Sequence, residues 1–216
     1  LRARRELFKE YDQVFVSANF ILGFPNESFG EMMDTYDFAN ELQWDWASYY
    51  ICQPLKGTEM FSAFMDLGDD RCEGEGYGKV HNPGAAAPRG EFGYQFQDGA
   101  EILTGRDIFN LPMDLVPNND QLKEIWFTFN LVSNFLNNPN FAPGGRPEKI
   151  VDWLESIAHA YPYDASMAAA LARGYRLMGQ TERADQHRKK FDDLLVESVY
   201  WQRRVQEFPE LIELSK

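Results

Sequence analysis

VFVSANFILGFPNES, residues 14–28, is the stretch that decides how this chain is read. Its first nine residues are rich in β-branched and aromatic side chains and lose strict alternation in their second half. That is the composition of a strand buried on both faces, as in a parallel sheet. Gly23 and Pro25 then end it. The glycine permits a positive φ or a close backbone approach, the proline stiffens the exit, and Glu27 stands beside the start of the next helix, where its charge is favourable. Ser28-Phe-Gly-Glu31 has capping-box spacing, and Phe29, Met32, Met33, Tyr36, Ala39 and Leu42 recur behind it at helical spacing. WDWASYYICQPL (44–55) is a second strand, ending at Pro54. Strand, helix, strand is a βαβ unit, so the strands are expected to run parallel with a right-handed crossover. GFPNES therefore has two readings. One is a well-capped strand-to-helix turn; the other is a site, because parallel α/β barrels gather their chemistry at C-terminal strand ends.

Outward from this unit the chain changes character twice. Residues 1 to 11 read as the tail of a helix. Residues 67–117 are dominated by Gly, Pro, Asp and Glu without periodicity, and such long irregular connections are usually functional or disordered; they are expected to pass over the strand ends and help enclose a substrate. From Asn118 helices return. Leu122, Ile125, Trp126, Phe129, Val132, Ser133 and Leu136 form one stripe and Phe127, Leu131 and Phe135 another, so this helix is expected between two layers or in an interface. Tyr175, Gly179 and Ala184 have the Tyr-x3-Gly-x4-Ala spacing of a tetratricopeptide unit, with Pro162 where the preceding repeat of roughly 34 residues would end. Arg188 stands where that pattern wants a bulky apolar residue, and an ordinary helical hairpin fits equally well. The expected organisation is thus 1–66 α/β, 67–117 irregular linker or lid, and 118–216 helical and possibly tetratricopeptide-like.

The bulk numbers exclude some classes. The 216 residues carry 21 basic against 34 acidic side chains, a net charge of −13, which repels nucleic acid and anionic membrane surfaces. No apolar run approaches the ~18 residues of a membrane span. Cys52 and Cys72 are the two cysteines; they make no disulfide framework, and a reducing cytoplasm is the expected setting.

ANFILGFPNESFGEMMDTYDFANEL (18–42) followed by WDWASYYICQPLKGTEMF (44–61) resembles the late strands of a radical S-adenosylmethionine enzyme barrel, closest to the type that also carries an N-terminal cobalamin-binding domain. Ile21, Gly23, Phe24 and Pro25 match the strand that ends in a GLPGET-like loop, and Pro54, Gly57 and Thr58 match the Pro-x-Pro-Gly-Thr end of the next. Asn19, Asn26, Lys56 and the late placing of Glu27 depart from the pattern. The resemblance covers about residues 1 to 65. It implies a partial parallel (β/α) barrel of TIM type, with S-adenosylmethionine, a [4Fe–4S] cluster and possibly cobalamin in the parent enzyme. Asn19, Ile21, Gly23, Phe24, Pro25, Glu27, Gln53 and Pro54 would lie at the cofactor or substrate cavity, with Glu27 bracing the loop. The Cys-x3-Cys-x2-Cys that would ligate the cluster is not in these residues, so no catalytic or metal-binding residue is assigned. The implied chain is a C-terminal fragment, inactive alone, whose partners are the rest of its parent and an unidentified substrate.

Other motifs carry less. GEGYGK (74–79) lacks the spacing of a phosphate loop and is flanked by carboxylates. His81, His159 and His187 show no zinc-ligand pairing. Beside the enzyme-fragment reading stand a helical tetratricopeptide-like module that binds a partner without catalysis, and a βαβ unit from another barrel family.

Overall fold

A computed structural model describes residues 13–72 and 103–216, together with residues 3, 7, 8 and 11. The GEGYGK stretch, His81 and most of the expected lid and N-terminal helix lie outside the described residues.

The βαβ unit forms where the pattern places it. Strand β1 (Ser17–Leu22) and strand β2 (Trp46–Ile51) pair in parallel, from Ser17 opposite Trp46 to Leu22 opposite Ile51. Helix α1 (Phe29–Glu41) connects them, and its capping box is complete: Ser28 Oγ accepts from Glu31 N–H while the Glu31 carboxylate accepts from Ser28 N–H. Phe29, Met32 and Ala39 of α1 join Phe20, Leu22, Ala47 and Tyr49 in one core. Strict period-two alternation holds after all. Ser17, Asn19, Ile21 and Tyr50 are exposed, so among the described residues one face of the sheet is covered along its length and the other only at Trp46, which packs against Phe135 and Trp153.

The expected barrel does not form. Among the described residues the sheet has two strands, in the order β1–β2, and stays open. A physical stop lies on the outer edge of β2. Helix α2 (Glu59–Asp66) follows that strand, and further along the chain comes helix α3 (Asn119–Leu131), continued by a π-helical turn, Val132–Leu136. From this segment Asn130 accepts from Tyr49 N–H and donates to Tyr49 C=O, both at 3.2 Å. Asn134 does the same at Ala47, both at 2.7 Å, and Asn138 donates to Asp45 C=O at 3.0 Å. Three side-chain amides thus stand in for the backbone of a neighbouring strand.

Geometry explains the spacing. Four residues of α-helix rise about 6 Å and two residues of strand about 6.6 Å, so a step of four on α3 tracks a step of two on β2. Four α-helical residues overshoot a full turn by ~40°. The wider π turn takes the drift back, and Asn138 still faces the strand. No further strand can add on this side.

The two stripes of α3 meet two cores. Leu122, Ile125 and Phe129 pack with the sheet; Leu131, Val132 and Phe135 pack with the helices that follow. Those are α4 (Pro147–Ile157), α5 (Ala165–Leu177), α6 (Thr181–Glu197), α7 (Val199–Glu207) and α8 (Glu210–Leu214). Helices α5 and α6 form a hairpin. Its turn closes on Gly179 at φ +74°, with Gly179 N–H to Arg176 C=O and Gln180 N–H to Tyr175 C=O, the Schellman pattern. Tyr175 and Ala184 are buried in the interface, while Arg188 is half-buried and pairs with Asp192. Residues Ala165 to Ala172 are all buried, because α4, α6, α8 and the π segment surround α5. Gly174 lets α4 come close: a Cβ there would lie 2.3 Å from Val151 Cγ2.

One buried ion pair ties α3 to α7. Arg204 donates to both oxygens of Glu124, at 2.6 and 2.7 Å, and both side chains are about 2% exposed or less. Its guanidinium also lies 4.1 Å over the Phe127 ring. No helix among the described residues is long and apolar enough to cross a membrane.

Two stability predictions follow from this geometry. Asn134→Ala strands the buried N–H and C=O of Ala47, and at about 1–3 kcal/mol per orphaned group it lowers unfolding free energy by about 2–4 kcal/mol in urea titration. Arg204→Met leaves Glu124 buried and unpaired, costing about 3–5 kcal/mol, whereas the double variant Glu124→Leu/Arg204→Met recovers most of that loss.

Candidate functional site

The GFPNES loop is built by its own side chains. Gly23 has φ +79°, a conformation that favours glycine, and a Cβ there would displace the tip of Leu122, whose Cδ2 would lie 2.5 Å away. Phe24 to Glu27 form a turn, with Glu27 N–H donating to Phe24 C=O at 3.0 Å. Pro25 precedes Asn26 at φ +61°, the residue order of a type II turn, and asparagine tolerates that conformation in place of glycine. The Glu27 carboxylate then folds back and accepts from the N–H groups of Gly23 and Phe24. Glu27 therefore braces the loop by consuming the very donors that a ligand at the strand end would need.

The adjoining helix start is equally occupied. Phe29 N–H donates to Leu115 C=O at 2.7 Å and Gly30 N–H to Met113 C=O at 2.8 Å. With Ser28 Oγ on Glu31 N–H, the α1 terminus has little left to offer an anion.

Arg71 completes the arrangement. Its Nη1 donates to Gly23 C=O at 2.9 Å and Cys52 C=O at 3.2 Å, bridging the ends of both strands. Asp69 holds it in a two-pronged pair, Nε at 2.9 Å and Nη2 at 2.6 Å, and Phe64 stacks beneath it at 4.4 Å. These groups line a cleft of about 230 Å³ with Met32, Leu67, Val116, Pro117 and Leu122. Burial pushes the Glu27 carboxyl up, more than its two backbone hydrogen bonds pull it down. Burial also acts on Asp69, but the Arg71 hydrogen bonds and charge outweigh it and hold that carboxyl below its ordinary range.

Of the residues singled out from sequence, Gly23, Phe24, Pro25 and Glu27 line this cleft. Asn19 and Ile21 do not; they lie on the exposed face of β1. Gln53 is half-buried and Pro54 buried after β2, outside the cleft lining. Arg71 and Asp69 escaped sequence reading. They sit in an acidic, aperiodic stretch, where only the sign of Arg71 among carboxylates hinted at a structural partner.

The radical S-adenosylmethionine resemblance is overturned here. Among the described residues no group of three His, Cys, Asp or Glu side chains could hold a metal ion. Cys52 and Cys72 are buried with Phe64 in a small apolar cluster and neither is in a disulfide; burial pushes the Cys52 thiol up, away from the thiolate that ligation needs. Among the described residues the sheet is two-stranded and open and no such donor set occurs, so neither the expected barrel nor a cluster-binding group is found there, and the reading as a radical S-adenosylmethionine enzyme is withdrawn. A scan of protein-family models, a search of curated proteins and a search of solved structures each returned no match.

A second feature lies across the sheet. In β1 the C=O of Leu22 accepts from Cys52 N–H at 2.7 Å. By alternation the N–H and C=O groups of Ala18 and Phe20 also face β2, and those of Ser17, Asn19 and Ile21 face outward. No partner is found for that outward edge among the described residues. Beside it Ile21 and Tyr50, opposite each other in register, are 48% and 46% exposed, and Phe24 is 38% exposed.

The opposed carboxyl shifts give a pH test. Asp69, with its folded pKa below the ordinary 3.8, contributes stability that is present above that value and lost as pH falls through the folded pKa. Glu27, raised above 4.5, acts in the other sense, and its contribution fades as pH rises through its folded pKa. Urea midpoints taken from pH 2 upward should therefore show the native chain losing stability relative to Asp69→Asn as pH falls below the ordinary 3.8, and gaining it relative to Glu27→Gln as pH falls through the raised Glu27 pKa.

Proposed function

We propose that this chain is a non-catalytic, mainly helical binding module, and that the open side of its sheet is where a polypeptide partner docks. The carrying observation is a parallel β1–β2 pair whose second face, covered at Trp46, is exposed toward the strand ends with Ile21 and Tyr50 upon it. Parallel sheets occur almost only with both faces covered, and this one is covered along its length on one.

Two further observations support the reading. The polar groups of the strand-end cleft are bonded to one another, which is the arrangement of a braced turn more than of a reaction site. The inner helix of the α5–α6 hairpin, whose exposed side would form the groove of a tetratricopeptide array, is enclosed by α8, the π segment and α4. Docking is thereby directed to the sheet.

A photoreactive benzoylphenylalanine placed at Tyr50 should give discrete polypeptide adducts in cell extract, and the same group at Lys189, on the charged outer side of α6, should give none. Ile21→Ser/Tyr50→Ser should reduce retention of the adduct-forming partner at least tenfold. Equal adducts from both positions, or retention unchanged by the double variant, would refute the reading.

A further inference from the structure

The sheet has two edges, and the fold treats them differently. On β2 the asparagine ladder and Trp126, whose Nε1 donates to Tyr49 C=O at 2.7 Å, occupy the outward backbone groups of Ala47 and Tyr49 and the C=O of Asp45. On β1 the outward N–H and C=O groups of Ser17, Asn19 and Ile21 find no partner among the described residues. Natural edge strands are usually blunted by Lys, Pro, a bulge or an inward charge. The segment SANFIL has none of these, and it pairs residue for residue with β2 without a bulge.

Resting on the docking surface proposed above, we infer that the occupant is an extended segment of another polypeptide, which adds to the free edge of β1 as a third strand. Three properties of that segment follow. Its backbone supplies hydrogen bonds to the outward groups of Ser17, Asn19 and Ile21, so affinity comes from the main chain. At alternate positions it carries apolar side chains, all on one face, which extend the Ile21–Tyr50 surface. It is basic, since the chain it meets carries −13. The same charge repels a second copy of this chain, so the partner is a different molecule.

The probe is a fluorescein-labelled decapeptide of alternating valine and threonine between lysine pairs. Its binding to the 216-residue chain is followed by fluorescence anisotropy. Three results are expected. The native chain binds it, and a copy N-methylated at alternate residues binds at least tenfold more weakly. Asn19→Pro, which deletes one outward N–H and leaves the β1–β2 ladder whole, weakens binding by the same factor. Exchange of the Asn19 and Ile21 amides slows in the complex.

Equal binding of plain and N-methylated peptide overturns the inference, and that comparison stands even if Asn19→Pro does not fold. Binding lost in Tyr50→Ser but kept in Asn19→Pro also overturns it, while leaving a partner on the sheet face. Loss in neither variant removes both readings. A native dimer in sedimentation equilibrium that Asn19→Pro dissociates would overturn it in favour of a second copy.

Discussion

The asparagine ladder on β2 is the interaction on which the rest of this structure depends. A strand edge demands donors and acceptors in strict alternation, and water is the usual supplier. Here a helix supplies them. Asn130 and Asn134 each present one acceptor and one donor to a single residue of β2, and Asn138 follows at Asp45. The requirement fixes the distance, direction and rotation of α3 against the sheet. It also explains why the helix changes to π geometry at Val132, where a regular α-helix would swing Asn138 off the strand.

Once α3 is fixed, the two cores follow. Its one stripe closes over Phe20, Leu22 and Tyr49, and its other provides the floor on which α4 to α8 assemble. Asp45 locks the joint. Its carboxylate accepts from Val16 N–H and the Lys149 ammonium, each at 2.7 Å, and from Asn140 at 3.1 Å, binding the start of β1 to α4 at a residue that is 4% exposed. The Glu124–Arg204 pair does the same for α7. A buried ion pair adds little net stability but strongly penalises any arrangement that separates its members. These polar contacts therefore select one packing among the several that apolar stripes alone would allow.

What the sequence disclosed, and what it hid, divides along the same line. Ser28 and Glu31, the recurrence from Phe29 to Leu42, the double stripe from Leu122 to Leu136 and the Gly179 turn act within a few residues of themselves, and each was readable. The positive φ at Gly23 and Asn26 was half readable: a Gly and a Pro announced a special turn, but its content came from Glu27 bending back. The barrel expectation failed because a βαβ unit specifies its own pairing and says nothing of what lies beyond it. The answer was held by Asn130, Asn134 and Asn138, eighty or more residues away from the strand they cap. An asparagine every fourth residue looks like ordinary helix polarity until the strand is known. Arg71 was hidden likewise, because its partners are backbone carbonyls of Gly23 and Cys52.

The capped edge of β2 has a consequence for how this molecule can assemble. A strand pair with two open sides is a bifunctional monomer, and bifunctional monomers polymerise into ribbons. Among the described residues this chain leaves one side of the pair without a partner and caps the other with its own asparagines. In polymer terms it is an end group. It can join one neighbour, and growth through its sheet stops there.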